Sequence, residues 1–172
     1  MKPALNISEL KTPFIIMLIG LPLSGKTTWI KENILNMKGY ENIDIISRDD
    51  IIMELSSSDD YNKSYSEVDE KEVNTLLRER LIESNKNRRC VIVDMTNMSK
   101  KRKNTLNYFK KDYTRVAILF PLLDDEKYTI RNDKRKREEK KDIPLTVLKD
   151  MLEKYAIINE EDKFDIVVTV EK

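Results

Sequence analysis

The stretch Gly20-Leu21-Pro22-Leu23-Ser24-Gly25-Lys26-Thr27 constrains this chain more than any other, because it fits G-x-x-x-x-G-K-[ST] at every fixed position and uses two of only three glycines. The apolar run Phe14 to Ile19 before it reads as a buried strand, and Lys26 to Met37 after it reads as a helix. Strand, glycine-containing loop and helix together form a phosphate cradle, in which successive backbone N–H groups converge on the phosphates and the helix N-terminus adds partial positive charge. Gly20 to Thr28 are therefore the expected nucleotide-binding residues. Lys26 would reach the β and γ phosphates, and the Thr27 hydroxyl would be a ligand to Mg²⁺.

A chain of 172 residues suits one α/β domain over residues 1–172, with residues 1–12 as an N-terminal extension. Charged residues make up 37% but cancel to a net charge of +1, so global charge selects no partner. The single cysteine, Cys90, excludes an intramolecular disulfide and opens an apolar run, which reads as core rather than chemistry in a cytoplasmic protein. Met1 to Pro13 lacks the apolar stretch of a signal peptide, and Phe14 to Leu21 is too short to span a bilayer, so no membrane partner is expected. Histidine is absent, which removes Ser/His schemes and most zinc sites and leaves a carboxylate or a lysine as general base.

Further strands are expected at Ile43–Ile46, Val91–Val93, Val116–Phe120 and Phe164–Val170. Between them Val73, Leu76, Leu77 and Leu81 share a helical face behind a capping-box pattern at Ser66 and Asp69. Leu148, Met151, Leu152 and Tyr155 do the same after Pro144, a residue suited to a first helical turn. This alternation predicts a mostly parallel five-stranded sheet with helices on both faces, a three-layer sandwich with its site at the strand C-terminal ends. Ser56 to Tyr65 is the expected surface loop.

The residues that follow the strands therefore carry the chemistry. Ser47-Arg48-Asp49-Asp50 brings two carboxylates and a guanidinium to the edge facing the phosphates, where an aspartate can orient an acceptor hydroxyl and take its proton late. Equally, one of the two aspartates would cap the short helix that starts there. Asp94, after an apolar strand, resembles the acidic residue that steadies Mg²⁺ through water. Thr96 and Asn97 are placed to bind phosphate or substrate, or to start the next helix. Lys100, Lys101, Arg102 and Lys103 read as a solvated face. From Lys127 to Lys141 eight Lys or Arg stand against three Asp or Glu, the composition of a lid over the nucleotide, with Arg131 and Arg135 four apart on one face. The lid is assigned to about residues 124–143.

Taken together, these segments resemble the 5′-hydroxyl polynucleotide kinases of phages and bacteria among the small P-loop kinases, over about Phe14 to Tyr155. The carriers are Lys26-Thr27-Thr28-Trp29, Arg48-Asp49-Asp50, Asp94-Met95-Thr96-Asn97, Arg131-Asn132-Asp133-Lys134-Arg135 and the Pro144 to Met151 segment. The resemblance implies transfer of the γ-phosphate of ATP, with Mg²⁺, to the 5′-OH end of RNA or DNA. Asp49 would be general base; Lys26, Arg131 and Arg135 would stabilise the phosphates; Arg48, Asp50, Thr96 and Asn97 would contact substrate. The bare residues leave two alternatives: a P-loop kinase for a small alcohol, nucleotide or modified base, and a non-catalytic nucleotide-binding module. Three departures stand out. Ile52 occupies the position where the family often has an arginine for the acceptor phosphate, Leu23 replaces a frequent loop glycine, and the stretch from Arg135 to Pro144 is longer and more charged than usual. For end-stacking, Tyr61, Tyr65, Tyr108 and Phe109 are the available aromatics. No phosphatase motif accompanies the kinase pattern.

Overall fold

The computed structural model describes residues 5–56, 60–139 and 141–171. Parts of the expected extension (1–4), surface loop (57–59) and lid (140), together with residue 172 and the side chain of Tyr61, lie outside the described residues.

Five strands, β1 (Phe14–Ile19), β2 (Ile43–Ser47), β3 (Cys90–Asp94), β4 (Thr114–Leu119) and β5 (Ile166–Thr169), form one sheet in the order β2-β3-β1-β4-β5. Every pairing is parallel, so the expectation of a mostly parallel sheet sharpens to a fully parallel one. The sequence reason lies in β1, where all six residues are buried and apolar because helices cover both faces. Ile15, Met17 and Ile19 point into one core with Leu81, Leu106 and Leu148, while Phe14, Ile16 and Leu18 point into the other with Ile30 and Ile34. The period of two along a strand produces this division.

The helix after the loop is α1 (Lys26–Ile30), which continues as a π-helical turn over Lys31–Leu35 and not as regular α-helix to Met37. Asn33 Nδ2 donates to the Trp29 carbonyl at 2.9 Å, an acceptor that a regular helix pairs only with backbone, and the ladder widens there. Next come α2 (Arg48–Leu55), α3 (Tyr61–Glu67) and α4 (Glu70–Lys86). Much of the expected surface loop is thus helical. The capping pattern before α4 divides as well: Asp69 is the N-cap and accepts from the Lys71 N–H, whereas Ser66 sits in the last turn of α3 and donates to the Lys63 carbonyl at 2.9 Å. Val73 and Leu81 are buried as the stripe predicts, with Leu76 and Leu77 partly so.

After β3 come α5 (Arg102–Leu106), and after β4 the lid helix α6 (Asp125–Glu139) and α7 (Leu145–Glu153). Pro144 is the N-cap of α7, one residue ahead of the expected first turn, and Leu152 is largely exposed while Leu148 is buried. Arg102 departs from the solvated reading altogether. Its Nε and Nη2 meet the Asp162 carboxylate at 2.9 and 3.0 Å, and its Nη1 donates to the Ala156 carbonyl at 2.6 Å. Both side chains of this pair are at most 1% exposed. Arg102 therefore ties the chain leading to β5 onto α5, and although burial pushes the Asp162 carboxyl up, its bonds from the Arg102 guanidinium and the Asn159 N–H hold it below the usual carboxylate range. Cys90 opens β3 half-buried, its thiol pushed up by burial, in agreement with a packing role. Among the described residues no helix is long and apolar enough to cross a membrane.

Candidate functional site

Every segment singled out as chemistry-bearing leaves a strand at the same edge of the sheet. Pairing aligns Ser47 with Asp94 and Ile19 with Leu119, so the loop after β1, the start of α2 and the exit of β3 share one end. A cleft of about 1820 Å³ opens there, walled by the loop, Asp49, Asp94, Tyr65 and the lid residues Arg131 and Arg135. Parallel strands order it at the crevice where the connections diverge.

The loop is built on two glycines for different reasons. A Cβ on Gly20 would stand 2.7 Å from Ser24 Oγ and 2.8 Å from Phe120 Cβ, so the turn closes only without a side chain. Gly25, the N-cap of α1, has φ of 105°, a left-handed backbone that glycine adopts without steric cost. Leu23 shares that left-handed region at φ of 71° although it is not glycine, and its side chain is buried in the core beneath the loop. The strain is of order 1–2 kcal/mol and is offset by that burial. Ser24 Oγ is buried with no hydrogen-bond partner. Such an orphan at the loop centre fits a ligand oxygen, since buried polar atoms are otherwise paired.

Lys26 is folded back on its own loop, Nζ donating to the Gly20 and Leu21 carbonyls at 2.7 and 2.8 Å. Burial pulls its pKa down to about 8, while Asp94 and Asp49 push it back up and Arg135 opposes them. The Lys26 ammonium is therefore acted on by charges from the start of α2, the exit of β3 and α6. Burial pushes the Asp94 carboxyl up, Lys26 pulls it down, and Asp49 and Asp50 raise it further. Asp50 is raised by desolvation and by its neighbours Asp49 and Glu54, and Lys141 lowers it. Three carboxylates thus crowd a place where the loop and lid supply the counter-charge. The Thr27 hydroxyl and the Asp94 carboxylate, which line the same cleft, are oxygen donors of the kind that suits Mg²⁺. Among the described residues no three His, Cys, Asp or Glu side chains converge tightly enough to cage an ion by themselves.

At the start of α2 neither aspartate caps the helix. Ser47 does, its Oγ accepting from the Asp50 N–H at 3.3 Å, and Asp49 and Asp50 follow in the first turn. The Ser-x-x-Asp spacing was the available signal for that cap. Arg48 is held by Glu70 and donates to the Tyr65 hydroxyl at 3.4 Å, and these contacts raise its pKa against the cost of burial. Ile52 lies one turn on, wholly buried against Val73 of α4.

Past β3, Thr96 and Asn97 cap nothing, since α5 starts five residues later. Asn97, at φ of 51°, donates from Nδ2 to the Leu18, Val93 and Met95 carbonyls at 2.7, 3.2 and 3.2 Å, while the Thr96 carbonyl accepts from the Gly20 N–H at 3.0 Å. Both residues knit the exit of β3 to β1, and the Asn97 amide N–H bonds go to backbone, a framework role that the motif alone did not reveal. In the lid, Arg131 Nη1 donates to the Leu23 carbonyl at 2.6 Å and so docks α6 on the loop. Arg135 lies 3.4 Å from Glu139 on its own helix. Asn132 was quoted only as part of a pattern, yet it pairs with both the N–H and the carbonyl of Ile143 at 3.1 and 3.2 Å and holds the returning chain against α6.

A family model described as AAA domain matches residues 15–158. Similar solved structures include a chain of the Pnkp1/Rnl/Hen1 RNA repair complex, 22% identical with a TM-score of 0.65. That alignment covers 88% of this chain and 46% of the other, so this chain spans about half the length of that relative. A fungal RNA kinase is 19% identical over 92% of this chain and 73% of its own, with a TM-score of 0.53. A gluconokinase from Sinorhizobium meliloti 1021 is 16% identical over 94% and 83%, with a TM-score of 0.54. At these identities the likeness is one of fold. A nucleotide-binding, kinase-like P-loop fold is what all of them share with this chain.

Proposed function

The chain belongs to the AAA domain family, and on that premise we propose that it is a polynucleotide 5′-hydroxyl kinase, moving the γ-phosphate of ATP or another nucleoside triphosphate to the 5′-OH end of RNA or DNA. The observation that carries this reading is that Lys26 and Asp49 line one cleft, with the N-cap of α2 supplied by Ser47 and Asp49 in the first turn behind it. Lys26 would leave the Gly20 and Leu21 carbonyls for the phosphates. Arg131 and Arg135 would gather charge on the transferred group, and Asp49 would accept the acceptor proton as the new P–O bond forms and the bond to the β-phosphate oxygen breaks. Thr27, and Asp94 through water, would hold Mg²⁺, which would supply neutralisation of phosphate charge. A lid docked on the loop through Arg131, with its returning chain held to α6 by Asn132, would exclude water and limit hydrolysis. Arg48 and Asp50 flank the acceptor side; Thr96 and Asn97 support the loop from below.

An RNA repair complex and an RNA kinase among the similar folds support a nucleic-acid acceptor. The buried Ile52 favours a second reading, a kinase for a small alcohol, since the position of the family's phosphate-gripping arginine faces the core. The gluconokinase likeness agrees with it. Transfer of labelled γ-phosphate separates the two. Label at the 5′ end of RNA or DNA oligonucleotides, lost in Asp49→Asn, is the expected result; label on nucleosides or sugars with none on oligonucleotides would establish the second reading instead.

A further inference from the structure

The basic run Lys100-Lys101-Arg102-Lys103 does not share one fate. Arg102 is buried on Asp162 and Lys103 is held by Glu161, whereas Lys101 lines the cleft. The backbone of Lys101 is fixed on both sides: its N–H donates to Ser99 Oγ at 3.3 Å, and its carbonyl accepts from the Asn104 N–H at 3.0 Å. Thr96, five residues earlier, is bonded to the Gly20 N–H, so at most about 17 Å of chain separates Lys101 from the base of the phosphate loop.

A second cleft lysine, Lys134, comes from α6. It stands three residues after Arg131, about 4.5 Å along the helix axis, and Arg131 is docked on the Leu23 carbonyl of the loop. Leu106 of α5 and Tyr128 of α6 enter the same core, so both lysines rise from one face of the sheet. Among the described residues neither takes part in an ion pair. Lys31 also lines the cleft unpaired, but it follows α1, whose Ile30 packs into the other core. Of the acidic residues that α6 and α7 bring to the cleft, Glu139 meets Arg135 at 3.4 Å and Asp150 meets Lys154 at 3.0 Å, while Glu138 stays beyond ion-pair reach of Lys134. The opposite arrangement holds on α2, α3 and α4, where Arg48, Lys63 and Arg80 are each bound to a glutamate and Ile52 is buried. A phosphate laid along that wall would have to displace a carboxylate; one laid over Lys101 and Lys134 would not.

We propose that Lys101 and Lys134 form the track of the acceptor strand, each binding a backbone phosphate downstream of the 5′ end, so that the strand leaves the cleft over the β3–α5 connection and α6 and not along α2 and α3. The inference rests on the polynucleotide kinase reading above and adds where the strand runs. Ammonium groups on flexible stems suit this task, because they meet a phosphate as point charges and read no base, and a positively charged groove that follows the backbone accepts ends of any sequence.

The test measures γ-phosphate transfer to one 5′-hydroxyl oligonucleotide at several salt concentrations, with the full chain, ATP and Mg²⁺. Lys101→Gln and Lys134→Gln are each expected to lower the slope of log KM for the oligonucleotide against log salt by about 0.7, so that the double variant loses about sevenfold of the wild-type rise in KM over a roughly fourfold range of salt. Lys101→Arg and Lys134→Arg keep the charge and should keep the slope, a pattern that a merely structural role would not give. Lys63→Gln, on the α3 wall, should leave the slope as in the wild type. An unchanged slope in the double variant would overturn the proposal, as would a slope that falls in Lys63→Gln instead, or in the KM for ATP in place of that for the oligonucleotide. Absence of label from every oligonucleotide would overturn the kinase reading itself and this proposal with it, whereas transfer with an unchanged slope removes the track alone.

Discussion

The two halves of the cleft solve opposite problems. Around the loop the protein leaves demands unmet: Leu23 is held at positive φ, Ser24 Oγ is buried without a partner, and the Lys26 ammonium rests on two carbonyls of its own loop. Around α2 and α3 the cations have glutamate partners, Arg48 in Glu70, Lys63 in Glu67 and Arg80 of α4 in Glu54, and position 52 is packed away. A site with unmet demands is completed by a charged ligand; one whose ions are paired selects by shape and surface. On the proposed reading, the phosphates would therefore be held mainly from the loop and from α6.

The sharpest way to break that comparison is to remove the loop's charge. Lys26→Ala is expected to lower turnover by about 10³-fold or more and to weaken nucleotide binding, measured by γ-phosphate transfer and calorimetry; retained turnover would place the nucleotide elsewhere. Asp49→Asn comes next. It should cost about 10²-fold or more in turnover while nucleotide affinity stays as it was, which puts the proton on the acceptor half. If Asp50→Asn is the damaging change and Asp49→Asn is harmless, the assignment within the pair reverses.

A smaller effect concerns pH. The folded Lys26 pKa is depressed from 10.5 to about 8. Between those values the unfolded chain holds a proton that the empty folded protein has released, so this group makes stability rise with pH across that window. Nucleotide binding runs the other way, because phosphates need the ammonium. Affinity for the triphosphate should fall as pH rises through about 8, by up to about tenfold per unit. Titration calorimetry from neutral to mildly alkaline pH reads this directly, and a flat profile would mean that Lys26 does not meet the phosphates. The smallest change is expected for Leu23→Gly, where relief of about 1–2 kcal/mol of backbone strain is set against the lost burial of a leucine, about 1.5–3 kcal/mol. Thermal unfolding should shift down by only a few degrees; a large loss would show that Leu23 matters through packing rather than backbone.

Much of the fold was legible because its signals are local. An unbroken apolar run at Phe14–Ile19, a loop with glycine at both needed places and alternating strand and helix patterns specified the sheet and its active edge. The capping role of Ser47 was readable too, in Ser-x-x-Asp, but it competed with two adjacent aspartates that favour the same position. Arg102 was not legible, since its partner Asp162 lies 60 residues on and a basic run looks alike whether solvated or buried. Asn97 and Asn132 were visible as motif letters, and what their amides do was not, because their partners on β1 and before α7 are brought near only by packing.

Thus the sequence by itself determined the phosphate-binding loop, the all-apolar central strand and the identity of the residues that leave each strand, since periodicity and backbone conformational needs are written within a few positions. Tertiary structure alone decided which of those residues face one another. Whether Lys26 feels Asp94 and Asp49, and whether Ile52 faces cleft or core, depend on how α2, α4 and α6 settle on the sheet edge, and Coulomb and packing forces act through space and not along the chain.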